Sequence, residues 1–214
     1  MWPTSFVVKI CGVRTLAAAQ TAVDAGADLL GMVFVPTARR AIAVGEARRI
    51  VQDLRSRSNI GIVGVFVDPR PEQANDVATF VGLDYVQLSG EEPSELLTQL
   101  NRPILKAVRI SADCPVPRLD QPHVTALVLE PQAAGLGGSG VAHNLSLAGR
   151  VMAIRPHPPV LLAGGLRPDT VAAAVRRVRP DGVDVSSGIE CDGSQDTDKI
   201  IAFIDAARGA VETW

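Results

Sequence analysis

Cysteine, histidine and aromatic residues are all scarce in this sequence of 214 residues. The three cysteines, Cys11, Cys114 and Cys191, are odd in number and widely spaced, which argues against a disulfide framework and against a zinc knuckle. The three histidines show no ligand spacing, so we predict no metal site. Aromatic residues make up 4% of the chain, too few for the base-stacking platforms of nucleic-acid-binding proteins.

Long apolar runs and a charge imbalance are missing as well. No apolar run approaches the roughly 20 residues that a membrane-spanning helix needs, and residues 1–5 lack the basic start and apolar core of a signal peptide. The formal net charge of −2 gives no electrostatic reason to expect nucleic acid or a membrane surface as a partner. We therefore expect a cytoplasmic protein, with residues 1–214 as a single domain because the composition shifts nowhere.

The sequence does contain a regular alternation of short apolar runs and helix patterns. Eight β-rich apolar runs occur, and a helix pattern follows seven of them. The runs are apolar throughout rather than alternately polar, as expected of parallel strands that are covered on both faces. Eight such units predict an α/β fold, a single (β/α)8 TIM barrel, with an open doubly wound sheet as the alternative. The dinucleotide-binding version of that sheet is disfavoured because no Gly-x-Gly-x-x-Gly follows the first strand.

Turn residues at the ends of the apolar runs set the predicted boundaries. After a first strand that ends at Cys11, strands are predicted at residues 28–34, 60–67, 84–88, 103–110, 125–129, 160–163 and 182–185. Helices are predicted at residues 16–25, 44–57, 71–81, 93–100, 146–155, 170–179 and 197–208. The polar, proline-rich segment 111–122 contains no convincing helix pattern.

A thiol and a carboxyl group stand at two predicted strand ends. Cys11 ends the first strand and is followed by Gly12, which suits a reactive group on a tight turn, although a small buried thiol is the alternative. Lys9 lies two residues earlier, so it shares a face with Cys11 and could tune the pKa of the thiol. The sixth strand runs into Glu130. Side chains from different strand ends converge over a barrel mouth, so Cys11 and Glu130 could form a base and acid pair, unless Glu130 is merely solvated.

The ends of the last two strands carry glycine and serine. Gly164 and Gly165 follow the seventh strand, and Ser186, Ser187 and Gly188 follow the eighth. Loops after these two strands commonly bind phosphate in such barrels, through backbone N–H groups and hydroxyls. Because glycine and serine also occur in ordinary turns, the alternative is a purely local role.

Two further side chains are candidates for binding or chemistry. Arg40, in the loop after the second strand, could bind a substrate carboxylate through its planar guanidinium, with Arg39 as a competitor and a solvated basic pair as the alternative. Lys106, in the fifth strand, is the one other inner-strand candidate for the lysine that an aldolase-like Schiff base would need.

Four motifs together resemble phosphoribosylanthranilate isomerases of tryptophan biosynthesis. They are Val8-Lys9-Ile10-Cys11-Gly12, Gly137-Gly138-Ser139-Gly140, Leu162-Ala163-Gly164-Gly165-Leu166 and Asp184-Val185-Ser186-Ser187-Gly188-Ile189-Glu190. The resemblance spans nearly the whole chain. It implies a cofactor-free Amadori rearrangement of N-(5-phosphoribosyl)anthranilate, a phosphorylated sugar-amine, to 1-(2-carboxyphenylamino)-1-deoxyribulose 5-phosphate.

The same resemblance implies a role for each site residue. Cys11 would be the general base, Glu130 the general acid and Arg40 the group that binds the anthranilate carboxylate. Substrate binding as a whole would involve Lys9, Arg40, Ser89, Gly138, Gly140, Gly164, Gly165, Ser186, Ser187 and Gly188.

The chain departs from the family pattern around the acid and the aromatic end of the substrate. Glu130 stands where the family usually has aspartate, Ser89 replaces a histidine, and Ala38 replaces a serine. Two alternatives therefore stay open: a paralogue that acts on another phosphoribosyl amine, and a non-catalytic phosphoribosyl-binding barrel. Monomer and homodimer are both compatible with the sequence.

Overall fold

A closed barrel of eight parallel strands forms the centre of the molecule. The computed structural model describes residues 2–111, 119, 122–132, 144–154 and 157–212. The barrel strands are β1 (Val7–Cys11), β2 (Leu29–Val33), β3 (Gly61–Phe66), β4 (Tyr85–Leu88), β5 (Ile104–Ile110), β6 (Val124–Pro131), β7 (Val160–Ala163) and β8 (Gly182–Val185). Each strand pairs with the next along the chain, and β8 pairs with β1. The predicted (β/α)8 TIM barrel is confirmed.

Helices connect the strands around the outside of the barrel. In the described ranges they are α1 (Leu16–Asp24), α2 (Val44–Arg55), α3 (Pro71–Val81), α4 (Ser94–Leu97), α5 (Leu145–Met152), α6 (Val171–Val178) and α7 (Thr197–Val211). A short antiparallel hairpin precedes α7 and consists of β9 (Glu190–Cys191) and β10 (Ser194–Gln195). The sequence pattern did not predict this hairpin.

The fourth helix is much shorter than the predicted helix at 93–100, with four residues. The chain beyond it is fixed by Asn75 of α3, whose amide donates to the Gln99 carbonyl at 2.8 Å and accepts from the Asn101 N–H at 2.9 Å. These two bonds hold the backbone at residues 99 and 101, beyond the end of the helix at Leu97. The prediction of the full length was therefore wrong.

Alternation along the strands decides which side chains fill the barrel. Successive side chains on a strand point to opposite faces, and one set forms an inner cluster that includes Val7, Leu105 and Ala107. Lys9 and Cys11 have the same parity as Val7, so the expectation that they share the inner face is confirmed.

The expectation that Lys106 is an inner-strand lysine is wrong, because Lys106 has the opposite parity to Leu105 and Ala107 and lies on the outer face. Its Nζ atom is 2.9 Å from the Glu92 carboxylate and donates to the Gly90 carbonyl at 2.8 Å. A lysine held outside the barrel in this way cannot form a Schiff base with a ligand inside it, which argues against the aldolase-like alternative.

Strand β6 extends past the predicted end at residue 129. Its pairing with β5 continues through Arg109 opposite Glu130 to Ile110 opposite Pro131. Glu130 therefore belongs to the strand itself, and its parity matches that of Val128 in the inner cluster. The extra pairing gives this carboxyl group a defined position at the barrel mouth.

Candidate active site

A cavity of about 370 Å³ opens at the carboxyl ends of the barrel strands. Cys11 from β1 and Glu130 from β6 both line it, together with Arg40 from the loop after β2. Ser89 and Ser186, which follow β4 and β8, complete the set of predicted residues found on its wall. The structure therefore brings the candidate base, acid and carboxylate-binding groups into one space.

A buried ion pair lies beside the Cys11 thiol. Lys9 is fully buried, and its Nζ atom is 2.9 Å from Oδ1 of Asp184. Burial alone would lower the pKa of Lys9, but Asp184 and Cys11 together outweigh that effect and raise the pKa above its ordinary value. Burial also raises the pKa of Asp184, against the opposing effect of the Lys9 ammonium.

The Cys11 thiol is affected by burial and by both of these charges. Burial raises the pKa of Cys11, Asp184 raises it further, and the Lys9 ammonium opposes both by stabilising the thiolate. Cys11 is 8% exposed, so the thiol meets the cavity while most of its surface is packed. Cys11 is thus a free thiol whose pKa stays raised, because burial outweighs the neighbouring cation.

The Glu130 carboxyl group retains its proton more strongly than an ordinary glutamate. Burial raises its pKa, and the negative charge of Asp184 raises it further, whereas Arg109 acts in the opposite direction. A carboxyl group in such surroundings is suited to donate a proton to a ligand.

Arg40 approaches the cavity from the loop after β2 and is held by Glu190. Its Nε atom donates to Oε1 at 2.8 Å and its Nη2 atom to Oε2 at 2.8 Å. The stem of Arg40 packs on Gly12, where a Cβ would lie 2.5 Å from the arginine Cδ atom. Gly12 has φ +77, so a side chain there would be strained as well as crowded.

The loops after β7 and β8 are in close contact. A Cβ at Gly188 would lie 1.8 Å from the Leu166 carbonyl oxygen, so only glycine permits this approach. Gly164 and Gly165 have φ +94 and +65, which glycine adopts without strain. Ser187 begins a short 3-10 helix, Ser187–Ile189, directly after β8. Backbone turns at these two strand ends form the expected setting of an anion site.

Comparison with known proteins identifies the family. The family model for N-(5'-phosphoribosyl)anthranilate isomerase matches residues 8–206. The chain belongs to the N-(5'-phosphoribosyl)anthranilate isomerase family. The isomerase of Roseiflexus castenholzii is 45% identical to this chain, over 95% of this chain and 99% of that protein.

Solved structures of the isomerase family agree with this assignment. A phosphoribosylanthranilate isomerase in complex with reduced 1-(o-carboxyphenylamino)-1-deoxyribulose 5-phosphate has a TM-score of 0.81 and 36% identity, over 95% of this chain and 99% of that one. Monomers generated from the dimeric isomerase of Thermotoga maritima have a TM-score of 0.80 and 35% identity. The match covers 95% of this chain and 99% of that one. The hypothesis that this chain is an isomerase of this family is confirmed.

Several residues at the isomerase site were not predicted from sequence. Asp184 and Gln87 line the cavity, and Glu190 holds Arg40. Side-chain alternation could have predicted the first two, because residues two apart on a strand share a face. Asp184 lies two residues before Ser186, and Gln87 lies two residues before Ser89. Glu190 lies beyond β8, so side-chain alternation along that strand does not predict where it points.

Ser89 is a largely buried residue that lines the cavity wall. Its hydroxyl accepts a hydrogen bond from Nε2 of Gln87 at 3.1 Å, and its carbonyl accepts one from Nη2 of Arg109 at 2.6 Å. Arg109 thus fixes the backbone directly after β4, next to the cavity. The glycine-rich segment with Gly138 and Gly140 lies outside the described residues.

The described residues contain neither a metal-binding cluster nor a helix suited to span a membrane. They contain no group of three or more histidine, cysteine, aspartate or glutamate side chains arranged to hold a metal ion. No helix in the same ranges has both the length and the apolar character needed to cross a membrane.

Proposed function

We propose that this chain catalyses the Amadori rearrangement of N-(5-phosphoribosyl)anthranilate with Glu130 as general acid and Cys11 as general base. Glu130 donates a proton to the furanose ring oxygen, so the ring opens to a protonated imine. Cys11, as the thiolate, then removes the proton from C2 of the sugar. The resulting enolamine tautomerises to the ketone. The observation that carries the proposal is that Cys11 and Glu130, from β1 and β6, line one cavity.

The charges around the two groups favour these roles. The raised pKa of Glu130 keeps the carboxyl group protonated to higher pH, as a general acid requires. The raised pKa of Cys11 makes its thiolate scarce but more basic once formed, and Lys9 stabilises it. Positioned acids and bases each contribute roughly 10²–10⁴-fold to a rate.

The two ends of the substrate would be bound by different parts of the rim. We assign the phosphate to the loops with Gly164, Gly165, Ser187 and Gly188, with Ser186 on the cavity wall. We assign the anthranilate carboxylate to Arg40, because its guanidinium lines the same cavity and has the positive charge that a carboxylate requires.

Ser89, Lys9 and the glycine-rich segment have supporting parts in this proposal. Ser89 would contact the substrate from the cavity wall. Lys9 is too deeply buried for broad contact with a ligand, and its charge would act through Cys11 and Asp184. We keep Gly138 and Gly140 as predicted substrate-binding residues on the resemblance alone.

The unit that performs the reaction is proposed to be residues 1–214 as one domain. The match to the family over residues 8–206 and the single closed barrel support this. A catalytic thiol also needs a reducing compartment, which favours the cytoplasm. Monomer and homodimer are both kept in this proposal, because a related isomerase is dimeric and monomers generated from it have also been solved.

Loss of the fluorescence of anthranilate ribotide measures the proposed reaction. We expect turnover by the unaltered enzyme and its near-complete loss in Cys11→Ala. Cys191→Ala is the matched control, since Cys191 is also a free cysteine but is exposed and does not line the cavity. Full activity in Cys11→Ala would remove the thiol from the mechanism.

A further inference from the structure

Glu190 binds two arginines at the rim of the cavity. Both of its carboxylate oxygens accept from Arg40, and Oε2 also pairs with Nη2 of Arg39. The Arg40 and Glu190 side chains are 11% and 8% exposed, whereas that of Arg39 is 54% exposed. Paired hydrogen bonds between a planar guanidinium and a carboxylate fix both their distance and their relative orientation. Glu190 therefore determines the direction in which the Arg40 guanidinium plane faces.

Glu190 is itself held by its surroundings. Its carbonyl oxygen accepts from Nζ of Lys199 in α7 at 2.8 Å. Gln195 pairs with Glu190 in the β9–β10 hairpin and donates from Nε2 to the Cys11 carbonyl at 3.1 Å. The hairpin is thus tied both to the closing helix and to the strand end that carries the candidate base. A carboxylate on such a support can hold a partner in place.

The charges also leave the rim with the sign that a carboxylate ligand requires. Arg39 and Arg40 together carry two positive charges against the single negative charge of Glu190. The two arginines lower the pKa of Glu190, so this carboxylate stays ionised throughout the neutral range. One positive charge remains for a ligand.

We propose that Glu190 is a positioning residue that orients Arg40 for the aromatic carboxylate of the substrate. The inference rests on the proposed function, in which Arg40 binds that carboxylate. Glu190 stays paired with Arg40 when the substrate binds, and the arginine meets the ligand already oriented. Without Glu190, the long side chain of Arg40 samples many rotamers, and ordering it opposes binding.

The opposite role is the main competing possibility, because Glu190 could occupy the arginine and exclude the substrate. The two roles predict opposite changes in KM. Removal of a positioning group raises KM, whereas removal of a competing carboxylate lowers it.

Steady-state kinetics of Glu190→Gln on two substrates test the proposal. The first substrate is anthranilate ribotide, and the second is the ribotide of aniline, which lacks the carboxylate. We expect KM for the first to rise about tenfold or more, with kcat within about twofold, because orientation acts on binding. We expect the KM for aniline ribotide to be unchanged. Glu190→Asp keeps the charge with a shorter reach, so its effect on KM should be smaller than that of Glu190→Gln.

Glu46→Gln is the matched control. It makes the same substitution in an exposed pair with Arg49 on α2, and we expect no change in either KM. A fall in KM for anthranilate ribotide in Glu190→Gln, an equal change for both ribotides, or no change in either would overturn the proposal. If circular dichroism shows that Glu190→Gln does not fold, the test uses Glu190→Asp. The comparison is again between the KM values for anthranilate ribotide and aniline ribotide. Failure of the proposed function itself is recognised separately, as absence of turnover in the unaltered enzyme.

Discussion

Lys9 and Asp184 form an ion pair inside the barrel, with Nζ and Oδ1 2.9 Å apart. The two residues face each other across the pairing of β1 with β8, which closes the barrel. Lys9 is fully buried, and Asp184, with 7% of its side chain exposed, meets the cavity. The pair therefore joins the closure of the fold to the electrostatics of Cys11 and Glu130.

Asp184→Asn should destabilise the protein strongly. The substitution leaves the Lys9 ammonium buried without its counter-ion, and breaking a buried pair in this way costs about 3–5 kcal/mol. Urea unfolding followed by circular dichroism measures the loss. The double variant Lys9→Met with Asp184→Asn removes both charges and should be the more stable of the two. If Asp184→Asn alone unfolds like the unaltered protein, the pair does not contribute to stability.

The Glu130 carboxyl should tolerate neither shortening nor neutralisation. Glu130→Asp withdraws the carboxyl by more than about an ångström, and a misplacement of that size can lower kcat on the order of 100-fold. Glu130→Gln removes the transferable proton and should cost roughly 10²–10⁴-fold. The fluorescence assay measures both. A faster Glu130→Asp enzyme would show that glutamate at this position is not the productive acid.

The dependence of kcat/KM on pH should have a broad plateau. The proposed mechanism needs protonated Glu130 together with ionised Cys11, and a carboxyl group ordinarily has a lower pKa than a thiol. The rate therefore rises with pH until the pKa of Glu130 is reached, stays level, and falls above the pKa of Cys11. Because burial raises both pKa values, both limbs lie at higher pH than for the free side chains.

Substitution of the base provides the check on this pH profile. Cys11→Ser should be far slower and should lack the alkaline limb, since serine does not ionise in this range. An alkaline limb that persists unchanged in Cys11→Ser belongs to another group and contradicts the assignment.

Two glycine substitutions should have opposite effects on stability. A Cβ at Gly164 would lie 2.2 Å from Cδ of Pro131, and φ there is +94, so Gly164→Ala should lower the free energy of unfolding by at least about 1–3 kcal/mol. Gly149 lies within α5 with nothing within 4 Å of its Cβ position, so Gly149→Ala should raise that free energy by about 0.5–1 kcal/mol. Thermal unfolding of both variants tests this prediction. The same change in the free energy of unfolding in both variants would contradict it.

The barrel order was predictable because parallel strands covered on both faces leave a clear apolar pattern. The roles of Cys11 and Lys9 as neighbours on one face followed from the period of two. The full length predicted for the fourth helix was wrong, and the chain beyond Leu97 is instead held by hydrogen bonds with Asn75 of α3, which no local pattern shows. The extension of β6 to Pro131 was missed because it depends on pairing with β5.

The sequence by itself determined the eight strands with helix patterns after seven of them, the shared inward face of Lys9 and Cys11, and the glycines at the last two strand ends. These features are local, since side-chain alternation and backbone freedom depend only on neighbouring residues. Only the tertiary structure decided that Lys9 pairs with Asp184 and Arg40 with Glu190, residues 175 and 150 positions apart. Such pairs form where barrel closure and loop packing bring distant charges together out of water, and no local pattern encodes that approach.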